Sequence, residues 1–126
     1  MRRNRPVASK LVSSAVVYAA LGLTAATNLV AQSSNPQTRR FELRIENGQI
    51  SNGSKSIQIQ RDDSVEIDWS TDQRVTVHLH GYDIEVTVDP GQTQKMQFTA
   101  NATGRIPIEL HGQRHRVLVY LEVHPR

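Results

Sequence analysis

Three of the chain's five histidines lie where predicted strands end, and their side chains are the best candidates for chemistry. His80 lies within the sequence V-T-V-H-L-H-G-Y-D-I-E-V-T-V, and His111 and His115 bracket a short loop nearer the C-terminus. In a folded sheet structure that loop can lie beside the end of the strand that carries His80. Neutral imidazoles that converge on one point suit a borderline ion such as Cu(II) or Zn(II), with a coordination position left for water or an external ligand.

His78 is a candidate fourth ligand because it lies two residues before His80, where a strand returns to the same face. A break in the strand near His80 leaves open whether the two rings point the same way. If these histidines hold a metal ion, its affinity should fall below about pH 6 as the imidazoles take up protons. The alternative is that each is an ordinary solvated surface histidine, which is what we expect of His124.

The strand pattern around these histidines predicts where they stand. Apolar residues alternate from Val75 to Leu79, and a second alternation from Tyr82 to Val88 has the opposite parity. A slip of one residue would turn every later side chain to the wrong face, so a bulge or turn is needed between the two segments. Gly81 tolerates the backbone conformation that such a break requires, which places His80 at the rim of a sheet.

The rest of the chain after residue 40 shows the same period of two and no stretch of helical period. Seven or eight short strands separated by turn residues predict an all-β fold, an antiparallel Greek-key β-sandwich. Pro107 lacks a backbone donor and suggests an edge position or a bulge for its strand. The alternation predicts a core made of the inward-facing apolar side chains Ile45, Ile59, Ile67, Trp69, Val77, Ile84, Phe98, Ile108, Val119 and Leu121.

The N-terminal segment has the layout of an export signal, with four basic residues in the first ten and no charged residue from Leu11 to Ala31. We therefore divide the chain into a signal peptide or signal helix at 1–31, a flexible linker at 32–40 and a sandwich domain at 41–126. Cleavage after Ala31 predicts a periplasmic or extracellular protein. An uncleaved segment that anchors the protein in the membrane is the alternative, since the apolar run is long enough to span a bilayer.

Charge and cysteine content limit the function classes. Of 15 basic and 12 acidic side chains, four bases belong to the N-terminal segment, so the remainder carries 11 bases against 12 acids. A role in nucleic-acid binding therefore loses its electrostatic support. The chain has no cysteine, so the exported domain must be stabilised by its core without disulfides.

Several segments in a fixed order resemble a known family. The segments are H-G-Y-D-I-E, then V-D-P-G-Q-T with M-Q-F-T-A, then T-G-R-I-P-I-E-L-H-G-Q-R-H and a closing valine-rich strand. This order resembles the cupredoxin-like domain of exported bacterial proteins, such as the copper domain of cytochrome oxidase subunit two and the cupredoxin domain of the EfeO type. The resemblance implies a copper site in which His80 is the first ligand and His115 a later one.

The chain departs from that family at one ligand position. The resemblance places the cysteine ligand of the family at His111, and no methionine follows His115. Electron transfer by blue copper depends on a copper–thiolate bond and a weak axial ligand, so a standard electron carrier is not expected. We predict instead that the histidines bind copper, with zinc as an alternative ion.

An enzyme and a protein-binding module are the alternatives to a metal-binding protein. Enzyme activity is not expected, because no nucleophile with a plausible base, phosphate-binding loop or zinc-protease motif is present. The carboxylates Asp83 and Glu85 are interpreted as the solvated edge of a sheet. The stronger alternative is a metal-free β-sandwich interaction module of the cell envelope, whose partner protein would contact Glu109, His111, Arg114 and Arg116.

Overall fold

The computed structural model of the protein describes residues 35–112 and 116–126. Within these ranges it contains nine β-strands and no helix, which confirms the predicted all-β class. No helix of the described residues is long and apolar enough to cross a membrane. The predicted signal segment at 1–31 lies outside the described residues. The strands are β1 (Thr38–Glu46), β2 (Gln49–Ile50), β3 (Ser56–Gln60), β4 (Ser64–Thr71), β5 (Val75–Leu79), β6 (Ile84–Val88), β7 (Gln94–Thr99), β8 (Gly104–Leu110) and β9 (Arg116–His124).

The strands form two sheets that pack face to face as a sandwich. One sheet has the order β2-β1-β4-β7 and the other β3-β9-β8-β5-β6. Most neighbours are antiparallel, but β1 pairs with β4 and β3 pairs with β9 in parallel. These two pairs join strands that are far apart in sequence, and the alternation of side chains alone does not reveal them. β1 begins at Thr38, three residues before the predicted domain boundary, because its exposed first residues pair with the start of β4.

The core lies between the sheets and follows the predicted alternation. In β4 and β5 every second side chain is buried, and Trp69, Val77 and Leu79 are fully enclosed. Nine of the ten predicted core residues are buried, and Ile84 is only partly so because β6 is the edge strand of its sheet. Each large apolar side chain that is fully buried contributes about 1.5–3 kcal/mol to folding.

The position of Pro107 differs from the expected edge. Its strand, β8, lies in the middle of the five-stranded sheet between β9 and β5. β5 ends at Leu79, so the N–H that Pro107 lacks would lie just beyond the pairing of β5 with β8. The sheet therefore tolerates the proline. The Pro107 carbonyl still accepts the N–H of His80 at 3.2 Å. The pairing of β8 with β9 has a register irregularity between Ile108 and Glu109, immediately after the proline in the sequence.

The turn between β3 and β4 is fixed by a buried carboxylate, Asp63, which is 3% exposed. Its oxygens accept the backbone N–H of Gln37 at 3.0 Å and that of Gln60 at 3.1 Å. The guanidinium of Arg126 also donates to Asp63 and forms an ion pair with it. One side chain therefore holds together the segment before β1, the end of β3 and the residues after β9.

Candidate metal centre

The hairpin of β5 and β6 places His78 opposite an acidic residue. The two strands pair from Val75 with Val88 to Leu79 with Ile84, and His78 faces Glu85 in this register. The turn that joins them requires left-handed backbone, with φ of 78° at Gly81 and 54° at Asp83. The predicted break at His80 and Gly81 is thus a turn, and it brings both side chains to the outer face of the sheet.

On its other side, β5 pairs with β8, which adds further polar side chains to the same face. Glu109 lies opposite His78 in this pairing. His111 follows the end of β8, and its N–H donates to the Thr76 carbonyl at 2.8 Å, which continues the register by one residue pair. Side chains alternate between the two faces of a strand, and the inward positions of β5, β6 and β8 are apolar. The histidines and carboxylates of these strands therefore lie together on the outer face of the sheet.

His78, Glu85 and His111 form a group whose potential ligand atoms all lie within 4.8 Å of one another. The rings of His78 and His111 have centroids 6.3 Å apart and meet edge to face. The Nδ1 atom of His111 lies 3.2 Å from Oε1 of Glu85. Two imidazole nitrogens and one carboxylate oxygen, from β5, β6 and the residue after β8, are therefore close enough to bind a single ion.

The Nε2 atom of His78 is buried and has no hydrogen-bond partner among the described residues. Oδ1 of Asp83 lies 3.5 Å from this nitrogen, which is longer than an ordinary hydrogen bond. The Asp83 side chain is fully exposed, so it can move relative to the ring. A buried polar atom without a partner carries a free-energy cost that a bound metal ion would remove.

His80 has a partner of a different kind. Its Nε2 atom lies 2.9 Å from Oε2 of Glu109, whose side chain is largely buried at 13% exposure. The His80 ring is also 4.3 Å from the His78 ring, centroid to centroid, so both rings lie on one face. His80 stands at the end of β5, as predicted, and it already has a carboxylate partner.

The structure brings together three of the four sequence-predicted ligands, His78, His80 and His111, on one sheet face. His115 lies outside the described residues. His124, predicted to have no role, is on β9, and its Nε2 is hydrogen-bonded to Gln58. Sequence reasoning missed Glu85 as a candidate ligand. A hairpin whose turn spans residues 80–83 pairs Glu85 with His78. Predicting that turn from the sequence would therefore have identified Glu85 as a candidate ligand.

The donor chemistry limits the kind of copper site that can form. Two imidazoles and a carboxylate are ligands that Cu(II) accepts in tetragonal N,O geometry. The chain has no cysteine, so a thiolate-bound blue-copper centre cannot form from its own residues. The described residues therefore fit Cu(II) in an N,O environment and do not fit a blue-copper site.

Comparison with known proteins agrees with this architecture. A family model described as multicopper oxidase matches residues 21–122. Similar solved structures include a heme-copper terminal oxidase dimer, with a TM-score of 0.58 and 22% identity over 68% of this chain and 65% of that chain. The blue copper oxidase from Nitrosomonas europaea has a TM-score of 0.57 and 21% identity over 71% of this chain and 39% of that chain. A copper binding protein studied in its apo form has a TM-score of 0.58 and 9% identity over 74% of this chain and 93% of that chain.

These likenesses have clear limits. At such identities they show the fold alone, and the chain spans only 65% of the terminal oxidase chain and 39% of the blue copper oxidase. No curated protein sequence matches the chain. The likenesses confirm the predicted cupredoxin-like sandwich. Since the family model covers most of the sequence, the chain belongs to the multicopper oxidase family of cupredoxin-like domains.

Proposed function

We propose that this protein binds a copper ion through His78, Glu85 and His111 on the outer face of its five-stranded sheet. The observation that carries the proposal is the convergence of three potential ligand atoms within 4.8 Å, together with the buried and unpaired Nε2 of His78. The fold family supports copper over other ions, since the similar solved structures include a copper binding protein and copper oxidases. Bound copper supplies a Lewis-acidic and redox-active centre.

The protein residues determine how such an ion is held. His78 and His111 supply neutral nitrogen donors, and Glu85 supplies negative charge that offsets the charge of the ion. His80 and Glu109 form a hydrogen-bonded pair next to His78 and restrict the orientation of the neighbouring rings. We propose that the protein binds or carries the ion and is neither an electron carrier of the blue-copper type nor an enzyme by itself. The lack of any cysteine supports the first part of this proposal, because a blue-copper site requires a thiolate ligand.

We also propose that the protein is exported to the periplasm or the cell exterior. The support comes from the sequence at 1–31, where a basic start precedes an uncharged apolar run. An uncleaved segment would leave the domain anchored to the membrane.

A metal-free function has one observation in its favour. Each of the three histidines has a carboxylate nearby: Asp83 for His78, Glu109 for His80 and Glu85 for His111. The pairs of His80 and His111 satisfy those imidazole groups without an ion and would suit a protein-binding surface in the cell envelope. The two functions differ in one measurable respect, because only the first requires stoichiometric copper.

Titration of the full chain with Cu(II) at neutral pH, followed by calorimetry and electron paramagnetic resonance, tests the proposal. We expect one ion per chain and an axial signal with nitrogen hyperfine structure from imidazoles. At a free Cu(II) concentration a hundred times the dissociation constant, binding should stabilise the fold by about 2.7 kcal/mol. His124→Ala is the matched control because that histidine lies outside the group.

The proposal fails if no stabilisation by Cu(II) occurs, or if His78→Ala and His111→Ala bind copper as well as the His124→Ala control does. Metal analysis of protein from its native compartment provides an independent check. Zinc in place of copper would retain the site but overturn the choice of ion.

A further inference from the structure

The backbone N–H and C=O groups of β1 point to its two sides. One side pairs with β4 along the strand, and the other pairs with the short β2 only near the end of β1. Odd-numbered positions face β4: the Gln37 carbonyl accepts the N–H of Ser64 at 2.9 Å, and the Ile45 carbonyl accepts that of Asp72 at 3.2 Å. Even-numbered positions therefore face away from β4, toward the open side of the four-stranded sheet. On that side β2 covers only the end of the strand, at Ile45 and Glu46.

Beyond β2, a side chain takes the place of a neighbouring strand. The Asn52 amide accepts the N–H of Arg44 and donates to the Glu42 carbonyl at 3.1 Å. A side-chain amide thus forms the two hydrogen bonds that a peptide group of another strand would form. Further toward the start of β1, no described residue forms a hydrogen bond with the outward backbone groups of Thr38 or Arg40. Among the residues that the structure describes, the first half of β1 is therefore an open strand edge.

This edge borders a cleft between the two sheets with a volume of about 360 Å³. Residues from four parts of the chain line it: Gln37 and Arg39 beside β4, Gln58, Ile59 and Gln60 from β3, Asp63 from the turn after β3, and His124 from the end of β9. β3 is the edge strand of the five-stranded sheet, so the cleft lies between two sheet edges. Amide side chains can donate hydrogen bonds to a peptide backbone and accept hydrogen bonds from it.

The charge at the cleft favours an acidic occupant. Arg40 forms an ion pair with Glu66, and Arg126 forms one with Asp63. Arg39 lies in the cleft wall, and among the described ranges no carboxylate is within ion-pair distance of its guanidinium. The Asp63 carboxylate in the same wall is paired with Arg126, so an incoming carboxylate would provide Arg39 with an ion-pair partner.

We propose that the open edge of β1 binds an extended, acidic peptide segment of another protein as an additional strand. The backbone of that segment pairs with the outward groups of Arg40 and Thr38, and an acidic side chain that points into the cleft contacts Arg39. Main-chain pairing supplies affinity in this binding mode, and side-chain pockets supply selectivity. The site is separate from the metal centre and needs no metal ion.

The probe is a capped octapeptide that alternates glutamate and valine, compared with one that alternates lysine and valine. Both are titrated into the full chain and followed by fluorescence anisotropy and amide chemical shifts. We expect the acidic peptide alone to bind and to shift the amides of Thr38, Arg40, Gln58 and Gln60.

Arg40→Pro removes the outward N–H without touching the pairing of β1 with β4, and Arg40→Ala is its matched control because both lose the ion pair with Glu66. We expect the proline variant to bind about tenfold more weakly than the alanine variant. Arg39→Glu should reverse the preference between the peptides, which keeps the test decisive if the proline variant does not fold. Equal binding of the two peptides by the unmodified chain, shifts that map to another surface, or an unchanged preference in Arg39→Glu would overturn the proposal.

Discussion

The Nε2 atom of His80 lies 2.9 Å from a carboxylate oxygen of Glu109, on the strand next to its own. The histidine that the sequence pattern marks most strongly is therefore paired within the protein, and its neighbour His78 has the buried nitrogen without a partner. The candidate metal site is therefore centred on His78, on the outer face of β5, and not on His80 at the end of that strand.

The first prediction concerns the different roles of these two histidines. We expect His78→Ala to abolish stoichiometric Cu(II) binding, because it removes a ligand from the group. His80→Ala should weaken binding by about 10–100-fold, the usual effect of removing an outer-shell partner. Calorimetric titration of both variants measures the difference. Equal losses would assign His80 to the ligand set and support the set predicted from the sequence.

The second prediction concerns the carboxylate in the group. Glu85→Gln keeps the size of the side chain but removes its charge, so Cu(II) affinity should fall while the nitrogen hyperfine pattern from the two imidazoles remains. Glu122→Gln changes a carboxylate on β9 of the same sheet, outside the group, and serves as the control. If both variants lose affinity equally, the effect is one of general surface charge and Glu85 is not a ligand.

The third prediction links the Asp63 carboxyl to stability in acid. Burial acts to raise the pKa of Asp63, but hydrogen bonds from two backbone N–H groups and nearby arginine charge outweigh it and hold the pKa below its usual range. A carboxyl whose pKa is lowered by folding contributes stability above its unfolded pKa, near 3.9, and this contribution is lost as the pH falls through the lower folded pKa.

Asp63→Asn should therefore destabilise the protein by about 1.5–3 kcal/mol at neutral pH. It should also flatten the loss of stability below about pH 4. Chemical denaturation across this pH range provides the measurement. Asp62→Asn is the control, since the neighbouring carboxyl is half exposed. A variant at Asp63 with the same acid dependence as the unmodified chain would show that another carboxyl is responsible.

The fourth prediction concerns the turn that brings His78 and Glu85 together. A Cβ atom added at Gly81 would meet Cγ2 of Ile106 at 3.7 Å, an ordinary contact, but the φ of 78° is unfavourable for residues with a side chain. Gly81→Ala should cost about 1–2 kcal/mol of stability from backbone strain alone. Gly81→Asn should cost less, because asparagine adopts this conformation more readily. Similar costs for both variants in thermal unfolding would point to a steric effect.

The sequence determines much of this fold through simple alternation. The inward parity of Val75, Val77 and Leu79 identifies β5, and Trp69 is enclosed as a core residue should be. The parallel pairing of β1 with β4 could not be predicted, because it depends on contacts between residues far apart in the chain. Of the two positions expected for Pro107, an edge strand or a bulge, the edge is wrong, and a register irregularity lies immediately after the proline. The end of the neighbouring strand, which Pro107 itself does not reveal, explains why an inner strand tolerates it.

The candidate site was predictable in part. The histidines at positions 78, 80 and 111 were identified by type and spacing, and the structure places all three on one face. Their relative importance depends on register, since only the pairing of β5 with β6 and β8 shows that Glu85 faces His78 and that Glu109 is available to His80. The identity of the acidic ligand is therefore a property of the assembled sheet.

The parallel pairing of β3 with β9 has a consequence for how the protein is made. In the described part of the chain, β9 is the only sheet neighbour of β3, and Ile57 pairs with Leu121. The hydrogen bonds of β3 with its sheet can therefore form only after β9 is present. A growing chain therefore leaves β3 unpaired until residues 116–124 have been synthesised. The five-stranded sheet is therefore complete only after β9 has formed beside β8 and β3 has added to its outer edge.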